Sequence, residues 1–366
     1  MSSTLAPSLS MHNALMPVSA APVPLFSREA SYTADSYVDA LRKMEVEAGP
    51  YAVEMAEPLL ALGRLYQQQN EHELAIAEFD RARHISRVNY GLDSEAQFPA
   101  IELSIASYLA LHNYAEAVDQ QEMLVAMHKS RFGAEAVELV PRLLTLGDMY
   151  FAAFERGVQQ QGVGLNLEYG AESNYRDPAE FTAKELAFLW LQQAQITYMG
   201  GITILLKQQD LQNPQLPRLE ANVVETLFLL SHREELEVEP EFFLGAADSI
   251  RPRGKAQWRF EDEDKPLYQE GEVAFKRMLF YLQRSPTASP LQIATVMLQL
   301  GDWHFLFNRY PKGRAIYKEA KQYLEQEGVE AAAIAALLAP EVPVQLPTFM
   351  GQPHSRARLA AQGHEP

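Results

Sequence analysis

The 366-residue chain contains no cysteine. That excludes disulfides, thiolate catalysis and cysteine-based zinc sites at once, and it fits a reducing cytoplasm and a bacterial periplasm equally. No run of about 18 apolar residues occurs, so no transmembrane helix is predicted. The opening stretch, MSSTLAPSLSMHNALMPVSAAPVPLF, has no Lys or Arg before Arg28, and Ser, Asn and Pro interrupt its apolar residues. A secretory signal needs a basic start and an unbroken apolar run. The default reading is therefore a cytoplasmic protein with a mobile Pro- and Ser-rich segment over residues 1–34, with a periplasmic location as the alternative. Positive charge is also scarce: 31 Lys and Arg stand against 48 Asp and Glu, a net charge of −17. Such a surface repels phosphate backbones and anionic lipids, so nucleic acid is not expected as a partner.

Catalytic motifs are missing as well. There is no Gly-x-Ser-x-Gly elbow and no phosphate loop. The pair His72-Glu73 starts like a metalloprotease helix, but Ile76 stands where the second His is required. Gly162-Val163-Gly164 lacks the third glycine and the preceding strand of a dinucleotide loop. The nine histidines lack the i, i+4 pairing or carboxylate neighbours of a metal site. No catalytic residue, metal or cofactor is predicted, and the chain is not expected to be an enzyme.

What is present is a repeat. Tyr66, Tyr108 and Tyr150 are spaced by 42 residues, and so are Gly49, Gly91 and Gly133. Around each Tyr the same side-chain spacing recurs: Leu59, Leu62 and Gly63, then Ile101, Ser104 and Ile105, then Leu143, Leu146 and Gly147. Separations of three and four place these residues on one helical face. A second helix follows, marked by Ala75, Phe79 and Ala82 in the first unit and by Ala117, Gln121 and Leu124 in the next. Small Ala75 and Ala117 let the two helices lie close. The glycines fall where the second helices should end, and Pro99 and Pro141 where the next first helices should start. One period earlier, residues 36–48 become a second helix that ends at Gly49.

At Leu59, Leu62, Gly63, Tyr66, Ala75, Phe79 and Ala82 the sequence resembles the tetratricopeptide repeat family, in the long, kinesin-light-chain-like variety and of bacterial type. The pattern returns in MLQLGDWHFLFNRYPKGRAIYKEA through Leu300, Gly301, Gly313, Tyr317 and Ala320, with His304 in place of the aromatic residue. The second unit departs from it at Ser104 and Ile105. The resemblance implies an all-α, right-handed superhelical solenoid of antiparallel helix hairpins, four or five in number. The regular array is expected over 35–154 and a loop insertion over 155–181. Divergent hairpins with a closing helix are expected over 182–338, and an extended Pro-containing tail over 339–366. The tail resembles the link between repeats and a further domain in some bacterial envelope proteins, which supports the periplasmic alternative.

In a solenoid the first helices line a concave groove, the usual binding face of the family. The residues off the packing face are Leu60, Arg64 and Gln67, then Glu102, Ala106 and Leu109, then Leu144, Asp148 and Phe151, and last Leu298, Asp302 and Phe305. Arg64, Asp148 and Asp302 are candidates for polar readout, and Leu109, Phe151 and Phe305 for apolar anchors. Phe151 and Phe305 suit packing against a neighbouring helix or the tail equally well. The repeated Lys and Asn by which chaperone-binding members clamp a terminal carboxylate are absent. The acidic run Glu261 to Asp264 and the glutamines at 67–69 and 159–161 read as solvated surface. The expected function is a non-enzymatic scaffold for a protein or peptide partner. Alternatives are a structural or assembly module, with self-association, and a regulatory accessory subunit of an enzyme.

Overall fold

The computed structural model describes residues 33–158, 183–231, 265–307 and 309–338. The segments 1–32, 159–182, 232–264 and 339–366 lie outside the described residues. They hold most of the expected insertion, the acidic run, Gln159 to Gln161 and both tails. Among the described residues all regular structure is helical: α1 (Ala34–Ala48), α2 (Ala56–Gln68), α3 (His72–Tyr90), α4 (Phe98–Ala110), α5 (Tyr114–Phe132), α6 (Val140–Val158), α7 (Ala183–Lys207), α8 (Leu216–Ser231), α9 (Lys265–Arg284), α10 (Pro290–Leu306), α11 (Tyr310–Gln326) and α12 (Ala331–Leu337). They form consecutive antiparallel hairpins, α2–α3, α4–α5, α6–α7, α8–α9 and α10–α11, stacked into a right-handed solenoid. Helix α1 packs on the first hairpin and α12 on the last. Helix α6 continues to Val158 and so takes in the first four residues of the expected insertion.

The 42-residue spacing is a spacing of backbone conformations. Gly49, Gly91 and Gly133 end α1, α3 and α5 at φ 91°, 99° and 95°. Their ψ values of 167°, 172° and 158° place them in the extended positive-φ region, which only glycine occupies without strain, rather than in the left-handed helical one. An added Cβ there would touch nothing, so the requirement is conformational. Within the first two hairpins the turn residues Asn70 and His112 sit at φ 61° and 57°. The next N–H then reaches back five residues, from Glu71 to Tyr66 O and from Asn113 to Tyr108 O, each at 2.9 Å, and satisfies a carbonyl at the helix end.

Packing within a hairpin depends on a glycine under a ring. A Cβ on Gly63, Gly147 or Gly301 would overlap the ring of Phe79, Tyr198 or Tyr317 from the partner helix. The apolar residues form small separate cores at one end and one large core toward the other, where a further small cluster of Ala294, Leu324 and Ile334 closes the last hairpin. Leu59, Leu62, Phe79 and Ile85 centre the first, and Ile101, Ala117 and Leu124 the second. From α6 to α10 a single cluster runs through Phe151, Phe188, Tyr198, Leu227, Phe228, Phe275 and Trp303.

Candidate functional site

The first helices place the expected groove residues at equivalent heights, yet their surroundings change along the solenoid. On α2, Arg64 is exposed and Leu60 is half-buried against the first core. Gln67 is half-buried and ties two units together, its Nε2 donating to Leu103 O at 3.0 Å and to Ser107 Oγ at 2.8 Å on α4. On α4, Ala106 is exposed, Leu109 is half-buried against the second core, and Glu102 pairs with Arg142 of α6. These are the candidates that keep access to solvent.

From α6 onward most of the same face is closed, with Asp148 half-buried. Leu144 and Phe151 are 6% and 3% exposed, and Leu298, Asp302 and Phe305 are 0%, 0% and 5% exposed. Phe151 and Phe305 are therefore core residues, which matches the packing alternative for them and not the one as open apolar anchors. Phe305 stacks its edge on Tyr317 at 5.2 Å and lies 6.0 Å from Tyr310. Asp302 accepts a hydrogen bond from the Tyr317 hydroxyl and is engaged inside the last hairpin rather than available for polar readout. Asp148 is engaged as well, accepting from Tyr198 Oη at 2.9 Å, from Asn222 Nδ2 at 3.0 Å and from the Arg218 guanidinium. The physical reason is the company of these helices. In α8, residues 222–224 and 226–230 are all buried and only a narrow stripe at Arg218 and Ala221 is exposed, so most of its circumference is covered by neighbouring helices.

Several charged residues that sequence reasoning passed over occupy this closed region. Glu220 of α8 is fully buried and held by Arg277 of α9, with Nη2 to Oε2 at 2.7 Å and a second bond from Nε. Glu225, half-buried on α8, is pushed up to about 8 by burial, then by the nearby carboxylates of Glu155 and Asp148. The signal was present in LEANVVETLFLL, where Glu220 and Glu225 are the lone charges in an apolar run. In the open region, burial and then Glu78, Asp35 and Glu71 raise the Tyr66 hydroxyl. Tyr108 is raised by burial and then by Asp80 and Glu116. Both phenols remain protonated donors at neutral pH. Among the described residues no group of three or more His, Asp or Glu is placed to hold a metal ion, and no helix is long and apolar enough to cross a membrane.

A second surface also carries the period. Val46 and Val88 are 87% and 54% exposed, and Tyr90 and Phe132 are 58% and 42% exposed. Each pair is separated by 42 residues. They lie at the C-terminal ends of α1, α3 and α5, beside exposed Tyr51 and Leu92. This edge was not among the sequence-predicted residues, although the repeat spacing marks it.

No protein-family model matches the chain, and no curated protein matches it. Among solved structures the chain is similar to the crystal structure of BtubC (BKLC) from P. vanneervenii, with 11% sequence identity and a TM-score of 0.39 over 81% of this chain and 89% of that one.

Proposed function

We propose that the chain is a tetratricopeptide-type, non-enzymatic scaffold that binds a peptide or protein on the first-helix face of α2 and α4. The observation that supports this reading is the gradient of burial along that face, open at Arg64 and Ala106 and closed at Leu144, Phe151, Leu298 and Phe305. Arg64 supplies a charged donor, Leu60 and Leu109 supply apolar surface, and the small Ala106 leaves room between them. Gln67 and Glu102 hold the adjoining first helices in register through Ser107 and Arg142. Such a mixture of one arginine with apolar neighbours is what a short docked segment uses for affinity. On this reading the regular array over 35–154 carries the binding face. The hairpins over 182–338 then form its rigid support, with Asp148, Phe151, Asp302 and Phe305 acting as structural residues.

The test is photo-cross-linking in the native host, with the reactive residue placed at Ala106 in one variant and at exposed Glu319 of α11 in another. Adducts at Ala106 that disappear when Arg64→Ala is added support the proposal. Adducts at Glu319 alone would contradict it.

The exposed edge of Val46, Val88, Tyr90 and Phe132 favours one further reading, an assembly module that associates through its second-helix ends. Mass measured against concentration decides that case. Val88→Glu with Tyr90→Glu should abolish any association that uses this edge.

A further inference from the structure

At the position where three first helices carry Tyr66, Tyr108 and Tyr150, α10 carries His304. Its side chain is 3% exposed. The ring Nδ1 lies 3.0 Å from the hydroxyl of Tyr268, which is itself 7% exposed on α9. That same hydroxyl accepts a hydrogen bond from Lys312 Nζ of α11 at 3.2 Å. Glu272 in turn takes Lys276 Nζ at 2.6 Å and Lys312 Nζ at 3.4 Å. Trp303 Nε1 donates to the Tyr268 backbone oxygen at 3.1 Å, which fixes the height of α9 against α10. Three helices therefore meet at one phenol.

The phenol has one proton, and the imidazole Nδ1 is the acceptor it faces, while Glu272 is tied to the phenol through Lys312. With His304 neutral and its proton on Nε2, Tyr268 can donate to Nδ1 while Lys312 donates to the phenol oxygen. A proton added at Nδ1 reverses that bond. The imidazolium must then donate to an oxygen that already accepts from an ammonium, and the phenol proton loses its acceptor. The charges facing His304 are mixed: Glu272 of α9 favours the cation, Lys312 of α11 and Lys276 of α9 oppose it, and Arg309 lies 5.7 Å from the Tyr268 ring centre. Glu272 is the facing carboxylate. Burial works against its ionisation, but Lys276, Tyr268 and Lys312 outweigh that and hold it at about 2, so it stays charged throughout the range of interest. Burial first, and then the two lysines against Glu272, hold His304 below its ordinary 6.5.

We propose that His304, Tyr268 and Glu272 form a proton-operated latch that fastens α9 to the last hairpin, closed with His304 neutral and loosened when His304 is protonated. The sign follows from linkage. The unfolded or opened histidine takes a proton near 6.5 and the buried one does so only at lower pH. Stability of this end is complete above 6.5 and falls as the pH drops below it, by at most about tenfold in the opening equilibrium per pH unit for one proton.

The test uses the full chain. Imidazole nitrogen shifts are followed from pH 8 to 5, with His304→Gln to assign the signal. Amide exchange of α9 and α11, corrected for the intrinsic rate, is measured over the same range. The latch predicts a His304 midpoint below 6.5 and no proton on Nδ1 at neutral pH. It also predicts exchange that rises severalfold below pH 6.5 in the wild type and stays level in His304→Gln. Glu272→Gln, which removes the one facing anion, should move the His304 midpoint lower still. A midpoint at or above 6.5, or an unchanged exchange profile in His304→Gln, overturns the proposal. If His304→Gln fails to fold, the wild-type midpoint decides alone, assigned by its coupling to the Tyr268 ring.

Discussion

The stretch from α1 to α5 and the stretch from α6 to α11 share hairpin geometry but differ in what fills the spaces between units. In the first, the ties between successive units are largely polar: Gln67 to Ser107, Arg81 to Glu45 at 2.8 Å and Arg83 to Gln120 at 2.8 Å, with Glu102 to Arg142 joining it to the second. Its apolar residues form small cores, one per unit. In the second, aromatic rings cross from unit to unit, as Trp303 does with Phe275 at 6.0 Å and with Gly271 beneath it. A repeat array stabilised by its neighbours gains cooperativity where the interface is large and apolar, and it opens locally where the interface is polar. The difference teaches that one repeat pattern can give a rigid body or an accessible surface, depending on the residues at the outward positions of the first helix.

The strongest way to break the comparison is inside the continuous core. Trp303→Ala removes a fully buried ring that packs on Phe275 and on Phe307, the latter at 4.7 Å. It should cost about 3–5 kcal/mol, read as a lower denaturant midpoint for α6 to α11 together. Gly63→Asp should cost a few kcal/mol because a charge is forced against the Phe79 ring. Its damage should stay local, with amide protection lost in α2 and α3 and kept in α8 to α11. Loss of protection along the whole chain would show that the two regions are not separable.

Glu225 sharpens the comparison through pH. Its folded value of about 8 lies above the ordinary 4.5, so the folded state holds the proton more tightly than the unfolded one. The stability it contributes is complete below about 4.5 and is lost as the pH rises toward 8. Thermal midpoints of the wild type should therefore fall over that window relative to Glu225→Gln. Superimposed pH profiles for the two proteins would contradict the buried placement of Glu225. The smallest expected effect on folding is that of Arg64→Ala. The side chain is exposed, so stability should change by less than about 0.5 kcal/mol, while capture of a partner at the open face should weaken. A stability loss comparable with that of Gly63→Asp would place Arg64 in the packing instead.

Much of the architecture was legible because it rests on local chemistry. Gly49, Gly91 and Gly133 mark helix ends that no other residue adopts cheaply, and Leu62-Gly63 with Phe79 marks the close contact of a hairpin. Helices α7 and α8 were harder to align with the period, because segments 159–182 and 232–264 interrupt the spacing. The groove was legible in register but not in exposure. Phe151 and Phe305 satisfy the same helical spacing whether the face beyond them is solvent or another helix, and spacing carries no information about what lies beyond. Glu220 and Glu225 could have betrayed the closure, since a charge inside an apolar run signals a helix with most of its circumference covered. The Tyr268 hydroxyl joins α9, α10 and α11 across more than forty positions of sequence, and no local pattern announces it.

The absence of cysteine makes the central claim directly measurable. Single cysteines can be placed at Ala106 on α4 and at Leu298 on α10, equivalent faces of two first helices, and their rates of thiol labelling compared under native conditions. An open face at α4 and a closed one at α10 predict labelling at Ala106→Cys close to that of a free thiol and labelling at Leu298→Cys slower by orders of magnitude. Similar rates at the two positions, in variants that both unfold with the wild-type denaturant slope, would contradict the division of the solenoid into an accessible and a buried half.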